Sequence, residues 1–369
     1  VLVQIQGGND GLSTLVPILG PDAATYQTLR PNLKISPGGT VDLGNGLGMN
    51  RDLLGFEALL DAGRLAWVPG IGMNNPNLSH FTSTDLWGMG SAQPGDTGWL
   101  GRWGDTQFKA TDTLRGLSLT SDLLLMVHGR GRDFVGITST AGYAFPTYLR
   151  STSLVPDSTL LRTGYVAALQ AGSSEALVAL AAQQGQLWYD SQATFNTLIK
   201  ARTPTVAYPG DASYPVGGLP SQLSGQLKLV AQMVASDIPA QVYTVRMGGF
   251  DTHSNQAVDH PRLLRALGGA ISAFLQDLEA ITTKDGPAGA RTVVVGWSEF
   301  GRRARENNGG TDHGAAGVAF AAGRPVKAGT FGGGQPSLAD LDAYGNLKFT
   351  TDFRTLYATL IDRWIGGDS

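Results

Sequence analysis

The sequence predicts an α/β fold with a mostly parallel central sheet, helices on both faces and an inserted cap region. Three observations lead there. Val1-Leu2-Val3-Gln4-Ile5-Gln6, Gln241-Val242-Tyr243-Thr244-Val245-Arg246 and Val293-Val294-Val295 are short runs rich in β-branched apolar residues, the pattern of buried strands. Each run breaks into glycine and then polar residues: Gly7-Gly8-Asn9-Asp10-Gly11, Gly248-Gly249-Phe250-Asp251-Thr252-His253 and Gly296-Trp297-Ser298-Glu299-Phe300-Gly301. Between such runs lie stretches of helical periodicity, the alternation that builds parallel sheets through right-handed crossovers. Ligands of open α/β sheets bind beyond the carboxyl ends of the strands, so the polar residues just past each run are the first candidates for chemistry.

Taken in order, Gly11 to Leu19 reads as a short helix or turn that leads into a surface segment rich in Pro, Asn and Gly. Leu53, Leu54, Phe56, Leu59 and Leu60 sit at helical spacing, Gly63 closes that helix, and Leu65-Ala66-Trp67-Val68 is a second strand, giving a parallel pair with the first. The next loop carries Asn74, Asn75 and Asn77 and ends at Ser79, where a helix begins before Phe81, Leu86 and Trp87. Leu123 to Val127 predicts a strand, and His128 beyond it reads as an ordinary exposed histidine. Ser173 to Ala201 is helical, the Pro- and Gly-rich stretch Thr203 to Pro220 interrupts, and Leu223, Leu227, Val230 and Val234 mark another helix. Residues 128 to 220 are read as a largely helical cap inserted into one domain that spans 1–369. Leu263, Leu264, Leu267, Ile271, Phe274, Leu275 and Leu278 form the apolar face of a long helix. Val318-Ala319-Phe320 predicts a further strand, and Phe353, Leu356, Tyr357, Leu360, Ile361 and Trp364 a helix turned to the core.

The bulk composition removes several function classes. A net charge of −3 leaves no electrostatic footprint for nucleic acid. No run approaches the ~20 apolar residues that cross a bilayer, so no transmembrane segment is expected. With only 15% charged residues and 51 glycines the chain reads as globular and loop-rich. Cysteine is absent, which excludes disulfides, thiolate metal sites and a cysteine nucleophile. The glycines after the first strand lack the spacing of a dinucleotide fingerprint, and Gly296 to Gly301 is one residue too long for the nucleophile elbow of α/β-hydrolases.

A hard-metal or zinc site fits better. Asp10, Asp251, His253, Glu299, Asp312 and His313 are carboxylates and imidazoles, ligands suited to Zn, Mn, Mg or Ca. Each follows a predicted strand or sits in a glycine-flanked turn; singly, such residues are more often caps or surface side chains, but together they point to a shared site. Two metals ~3.5–4 Å apart there would polarise a phosphoryl or sulfuryl oxygen and activate a hydroxyl or water. Ser79 at a helix N-terminus is either an N-cap or a nucleophile placed where the dipole favours an anion. Arg302, with Arg303 or Arg305, is either a solvated helix start or a clamp for a non-bridging oxygen.

These residues resemble the DUF1501 family of bacterial proteins, similar in turn to the alkaline phosphatase and sulfatase superfamily. The matching blocks are Gly7-Gly8-Asn9-Asp10-Gly11, Asn77-Leu78-Ser79-His80-Phe81, Gly249-Phe250-Asp251-Thr252-His253, Ser298-Glu299-Phe300-Gly301-Arg302, Gly310-Thr311-Asp312-His313-Gly314 and Thr351-Asp352-Phe353-Arg354. The resemblance implies an alkaline-phosphatase-like core, with Asp10 ending the first strand and Ser79 as nucleophile (Thr82 nearby as an alternative). It further implies Asp251, His253 and His313 as ligands, with Glu299 in the position of the next acidic one. Phe300 stands where the superfamily places another imidazole, which leaves one ligand fewer; His80 or Asp312 could compensate. The resemblance also implies an exported protein of the periplasm or cell envelope with a twin-arginine signal. Two functional expectations follow: a metal-dependent hydrolase of phosphate or sulfate esters acting on a small anionic substrate, or a non-catalytic envelope protein with cell-envelope partners that keeps a structural or vestigial ion site.

Overall fold

The computed structural model describes residues 1–91, 93, 95–109, 111–140 and 158–367. It is a mixed α/β structure whose central sheet has nine strands among the described residues. The order across the sheet is Gly329–Thr330, Leu65–Gly72, Gly317–Ala322, Val294–Trp297, Leu2–Ile5, Val242–Met247, Gly116–Ser118 and Val135–Gly136, with Thr351–Asp352 also on Leu65–Gly72. Every pairing is parallel except the two made by Gly317–Ala322, which runs against both neighbours.

Alternation along the strands divides two cores. Val3, Ile5, Val245, Met247, Val294 and Phe320 point to one face and pack on the helices Gln222–Ala235 and Gln256–Glu279. Leu2, Val295, Trp297 and Ala319 point to the other, against His80–Met89, Trp99–Gln107 and Phe353–Leu360. There Trp87 stacks on Trp297 with ring centroids 5.3 Å apart, and on Phe353 at 4.5 Å. The helices on both faces are as the strand patterning predicts.

Three expectations need correction. The strands Leu2–Ile5 and Leu65–Gly72 run in the same direction but are not neighbours, because Val294–Trp297 and Gly317–Ala322 lie between them. The run at Leu123 to Val127 ends in a 3-10 turn, Leu125–Val127, buried against Trp99–Gln107, where Gly98 and Gly101 allow backbone contact; an apolar run of that length does not by itself distinguish a strand from a buried turn. Trp364 is 42% exposed. The last helix widens into a π-turn over Ile361–Ile365, and Trp364 turns outward while Leu356, Leu360 and Ile361 stay packed against the second core.

In the region read as a cap, the helices Ser158–Gln170 and Ala176–Leu198 bracket a short turn. Phe195 is fully buried in the first core, and Trp188 meets Tyr165 edge-on at 6.1 Å. Residues 141–157 of the expected cap lie outside the described residues.

Candidate metal centre

Four chain segments meet at the carboxyl rim of the parallel strands. Gly7 follows Leu2–Ile5, Asp251 and His253 follow Val242–Met247, Glu299 follows Val294–Trp297, and His80 opens the helix after Leu65–Gly72. His313 arrives differently: its short strand His313–Gly314 precedes Gly317–Ala322, and only because that strand is antiparallel does its beginning lie at this rim. Glycine makes the crowding possible. Gly7 has φ +118°, and a Cβ there would stand 2.4 Å from the Asp251 backbone nitrogen. A Cβ on Gly310 would stand 2.3 Å from the carbonyl oxygen of Thr252.

Three imidazoles point their Nε2 atoms at one carboxylate oxygen. Asp251 Oδ1 is 3.3 Å from His80 Nε2, 3.1 Å from His253 Nε2 and 3.1 Å from His313 Nε2. Each ring is oriented from behind through Nδ1. His80 Nδ1 is 2.7 Å from Glu299 Oε1, His313 Nδ1 is 2.7 Å from the Leu78 carbonyl oxygen, and His253 Nδ1 is 3.4 Å from Asp312 Oδ1. A carbonyl or carboxylate can only accept, so each Nδ1 carries a proton; with a cation bound between the rings and Asp251, each Nε2 would turn its lone pair to it. His253 Nε2 and His313 Nε2 stand 2.9 Å apart, and His80 Nε2 is buried with no hydrogen-bond partner. Ring nitrogens that converge on one anionic oxygen are held there either by protons donated to Asp251 or by a cation that replaces those protons. His80, Asp251 and His313 form a group able to hold a metal ion, with ligand atoms within 4.8 Å of one another. His253 adds a fourth donor at its edge.

The bond to Glu299 raises the pKa of His80 against the opposing effect of burial, with Asp251 adding to the rise. Burial lowers that of His313, against the Leu78 carbonyl and Asp251. Burial works to raise the Asp251 carboxyl, but hydrogen bonds from Arg302 and His313 outweigh it and hold it at about 2. Asp251 is therefore an anion at any ordinary pH. Phe300, at the position where the resemblance expects an imidazole, packs its ring 4.8 Å from His80 and 4.7 Å from His313, an apolar wall behind the donors.

The remaining candidates occupy other positions. Glu299 is fully buried and stands behind His80; its Oε1 also accepts the Gly7 N–H at 2.8 Å, and its Oε2 the Ser298 hydroxyl at 3.2 Å. Asp312, half-buried, lies behind His253 and accepts from the Asn307 amide at 3.0 Å. Asp10 is buried away from the imidazoles, held by Arg30 at 2.6 and 3.1 Å and by Ser13 and Gln256. Arg302 is 1% exposed and ties the loops together, donating to the carbonyls of Gly7, Gly8, Phe250 and Thr311 and to Asp251 Oδ1 at 2.7 Å. Ser79 is exposed at the N-cap of His80–Met89; its hydroxyl makes no capping bond, while its N–H donates to Asn77 Oδ1 at 2.8 Å. Thr82 is exposed one residue beyond Phe81 on the same first turn. Arg30 and His260 are the functional neighbours that sequence patterning does not single out. His260 is buried with Nε2 3.0 Å from Asn9 Oδ1.

The molecule is thus an α/β protein with a His/Asp cluster, suited to a metal ion, at the carboxyl rim of its sheet. A family model described as "Protein of unknown function (DUF1501)" matches residues 156–368, more than half of the chain, and the protein belongs to that family. The matched span contains Asp251, His253, Glu299, Arg302, Asp312 and His313 but not Ser79 or His80. No curated protein and no solved structure matches the chain. Among the described residues no helix is long and apolar enough to cross a membrane.

Proposed function

We propose that the protein is a metal-dependent hydrolase of phosphate or sulfate esters, with an alkaline-phosphatase-like core reduced to one metal site and Ser79 as nucleophile. The observation that carries this reading is the convergence of three Nε2 atoms on Asp251 Oδ1. A nitrogen-rich donor set favours Zn or Mn over Mg and Ca, which prefer all-oxygen cages. His80, His253, His313 and Asp251 would hold the ion, while Glu299, Asp312 and the Leu78 carbonyl fix the rings. When bound, the ion supplies positive charge to polarise an ester oxygen at neutral pH. Ser79 presents a hydroxyl free of capping at the start of a ten-residue helix, beside the ring of His80 in sequence. The unpaired N–H groups of that first turn favour an approaching oxyanion. Arg302 positions Asp251 and three loops from beneath. As the family resemblance implies, such an enzyme would work outside the cytoplasm, in the periplasm or cell envelope.

The test is turnover of p-nitrophenyl phosphate and p-nitrophenyl sulfate with added Zn or Mn, in the wild type and in Ser79→Ala. Loss of turnover with retained metal binding in Ser79→Ala supports the nucleophile, and undiminished turnover rejects it. A protein that binds the ion and turns over neither ester is the non-catalytic envelope protein instead.

A further inference from the structure

Two helices start at the rim of the metal centre from opposite faces of the sheet, His80–Met89 on one and Gln256–Glu279 on the other. Each carries a large apolar side chain in solvent on its first turn. Phe81, next to the donor His80, is 87% exposed, and Val258, on the turn that follows His253, is 61% exposed. Phe81 is the most exposed large hydrophobic side chain among the described residues. One exposed apolar residue needs no explanation. Two of them, on the turns that carry or follow donors of one cluster, give the centre an apolar margin on both sides.

The ground around this pair is uncharged. Residues 74–84, 252–258 and 307–311 contain no Asp, Glu, Lys or Arg, in a chain that is 15% charged. The last two segments are tied together at the rim: the Thr311 N–H donates to the Thr252 carbonyl at 3.2 Å, and the Gln256 N–H to the Gly309 carbonyl at 3.0 Å. Along the two helices the first charged side chains are acids, Asp85 and Asp259. A substrate portion with further anionic groups, such as a polyphosphate or an acidic sugar, finds no cation on these segments and two carboxylates beyond them. An apolar portion finds Phe81 and Val258, and is withdrawn from water against them.

We propose that the metal centre selects esters whose alcohol portion is an alkyl chain or an apolar ring, laid across the rim against Phe81 and Val258. The anionic end of that ligand rests on the hydrolase reading. Continuity argues for this occupant: Phe81 adjoins His80 in the chain and shares its helical turn, so a ligand whose anion reaches the centre has its remainder at the rim.

The test is calorimetric titration of the full chain, with zinc supplied, by methyl-, butyl- and octylphosphonate, each below its aggregation concentration. The anionic end is the same in all three and is not hydrolysed, so binding is read without turnover. A fully buried methylene is worth about fourfold in affinity. Across an open rim we expect octylphosphonate to bind about tenfold tighter than methylphosphonate. Phe81→Ser and Val258→Ser, changes at exposed side chains, should each cut that octyl-to-methyl ratio about threefold, and the double variant should bring it close to one. A wild-type ratio near one, or a ratio that survives the double substitution, overturns the proposal, while binding of methylphosphonate leaves the hydrolase reading standing. No binding of any phosphonate overturns both. A wild-type ratio near one, together with a dimer in sedimentation that Phe81→Ser dissociates, assigns the face to a second copy of the chain instead.

Discussion

Glu299→Gln isolates what holds the His80 imidazole in place. The glutamate is fully buried, and its Oε1 serves both His80 Nδ1 at 2.7 Å and the Gly7 N–H at 2.8 Å. Glutamine keeps the shape and one carbonyl oxygen for those two donors, and its amide can face the Ser298 hydroxyl, so the loops stay in register. What disappears is a full negative charge behind the imidazole, at a site where solvent does not screen it. The bond that raises the pKa of His80 also raises the basicity of Nε2 toward a metal. Losing a partner of this kind typically costs metal affinity by about 10–100-fold, or roughly 1.4–2.8 kcal/mol. Competition with a chromophoric chelator for Zn at constant pH measures it. The expected result is weakening in that range with a melting temperature of the metal-free protein within a few degrees of wild type. Affinity within twofold of wild type would refute the reasoning, because it would mean that Glu299 does not act through His80.

Three further substitutions probe the scaffold. Arg30→Met leaves the Asp10 carboxylate buried without its partner and should cost about 3–5 kcal/mol in urea unfolding, most of it recovered in the Asp10→Asn/Arg30→Met double variant. Gly7→Ala should cost roughly 1–3 kcal/mol and weaken metal binding, since the residue has φ +118° and the new Cβ would press on the Asp251 backbone; an unchanged unfolding midpoint and metal affinity would count against the tight loop contact. Burial lowers the His260 pKa from 6.5 to about 4. The unfolded chain then takes up a proton below pH 6.5 that the folded chain refuses, so stability is complete above 6.5 and falls by up to roughly 3 kcal/mol as pH drops to 4. His260→Gln should flatten that slope, and identical slopes in the two proteins would show that another group causes it.

Much of the frame was legible because it rests on local chemistry. A β-branched run that ends in glycine and an acid can be recognised without neighbours, and the strands Leu2–Ile5, Val242–Met247 and Val294–Trp297 lie side by side with their loops at one rim. The long stripe on Gln256–Glu279 is helical as its spacing demands. What escaped depends on pairings across the chain. Asp10 and Arg30 are joined in a buried ion pair that nothing in their local sequence announces. Glu299 looks like a ligand by position, yet the fold sets His80 in front of it, a contact across 219 residues. His313 reaches the rim only through an antiparallel strand, a direction that hydrophobic patterning does not encode. Phe300 reads as a missing ligand in sequence and as the packing wall of two ligands in space.

Metal content of the intact protein, purified without chelator and read by plasma emission spectrometry beside His313→Ala, tests the central claim most directly. The convergence on Asp251 predicts one equivalent of zinc or manganese per chain, lost in the variant. Ion-free wild-type protein that also takes up neither metal on dialysis, or a variant that retains its full equivalent, would contradict it.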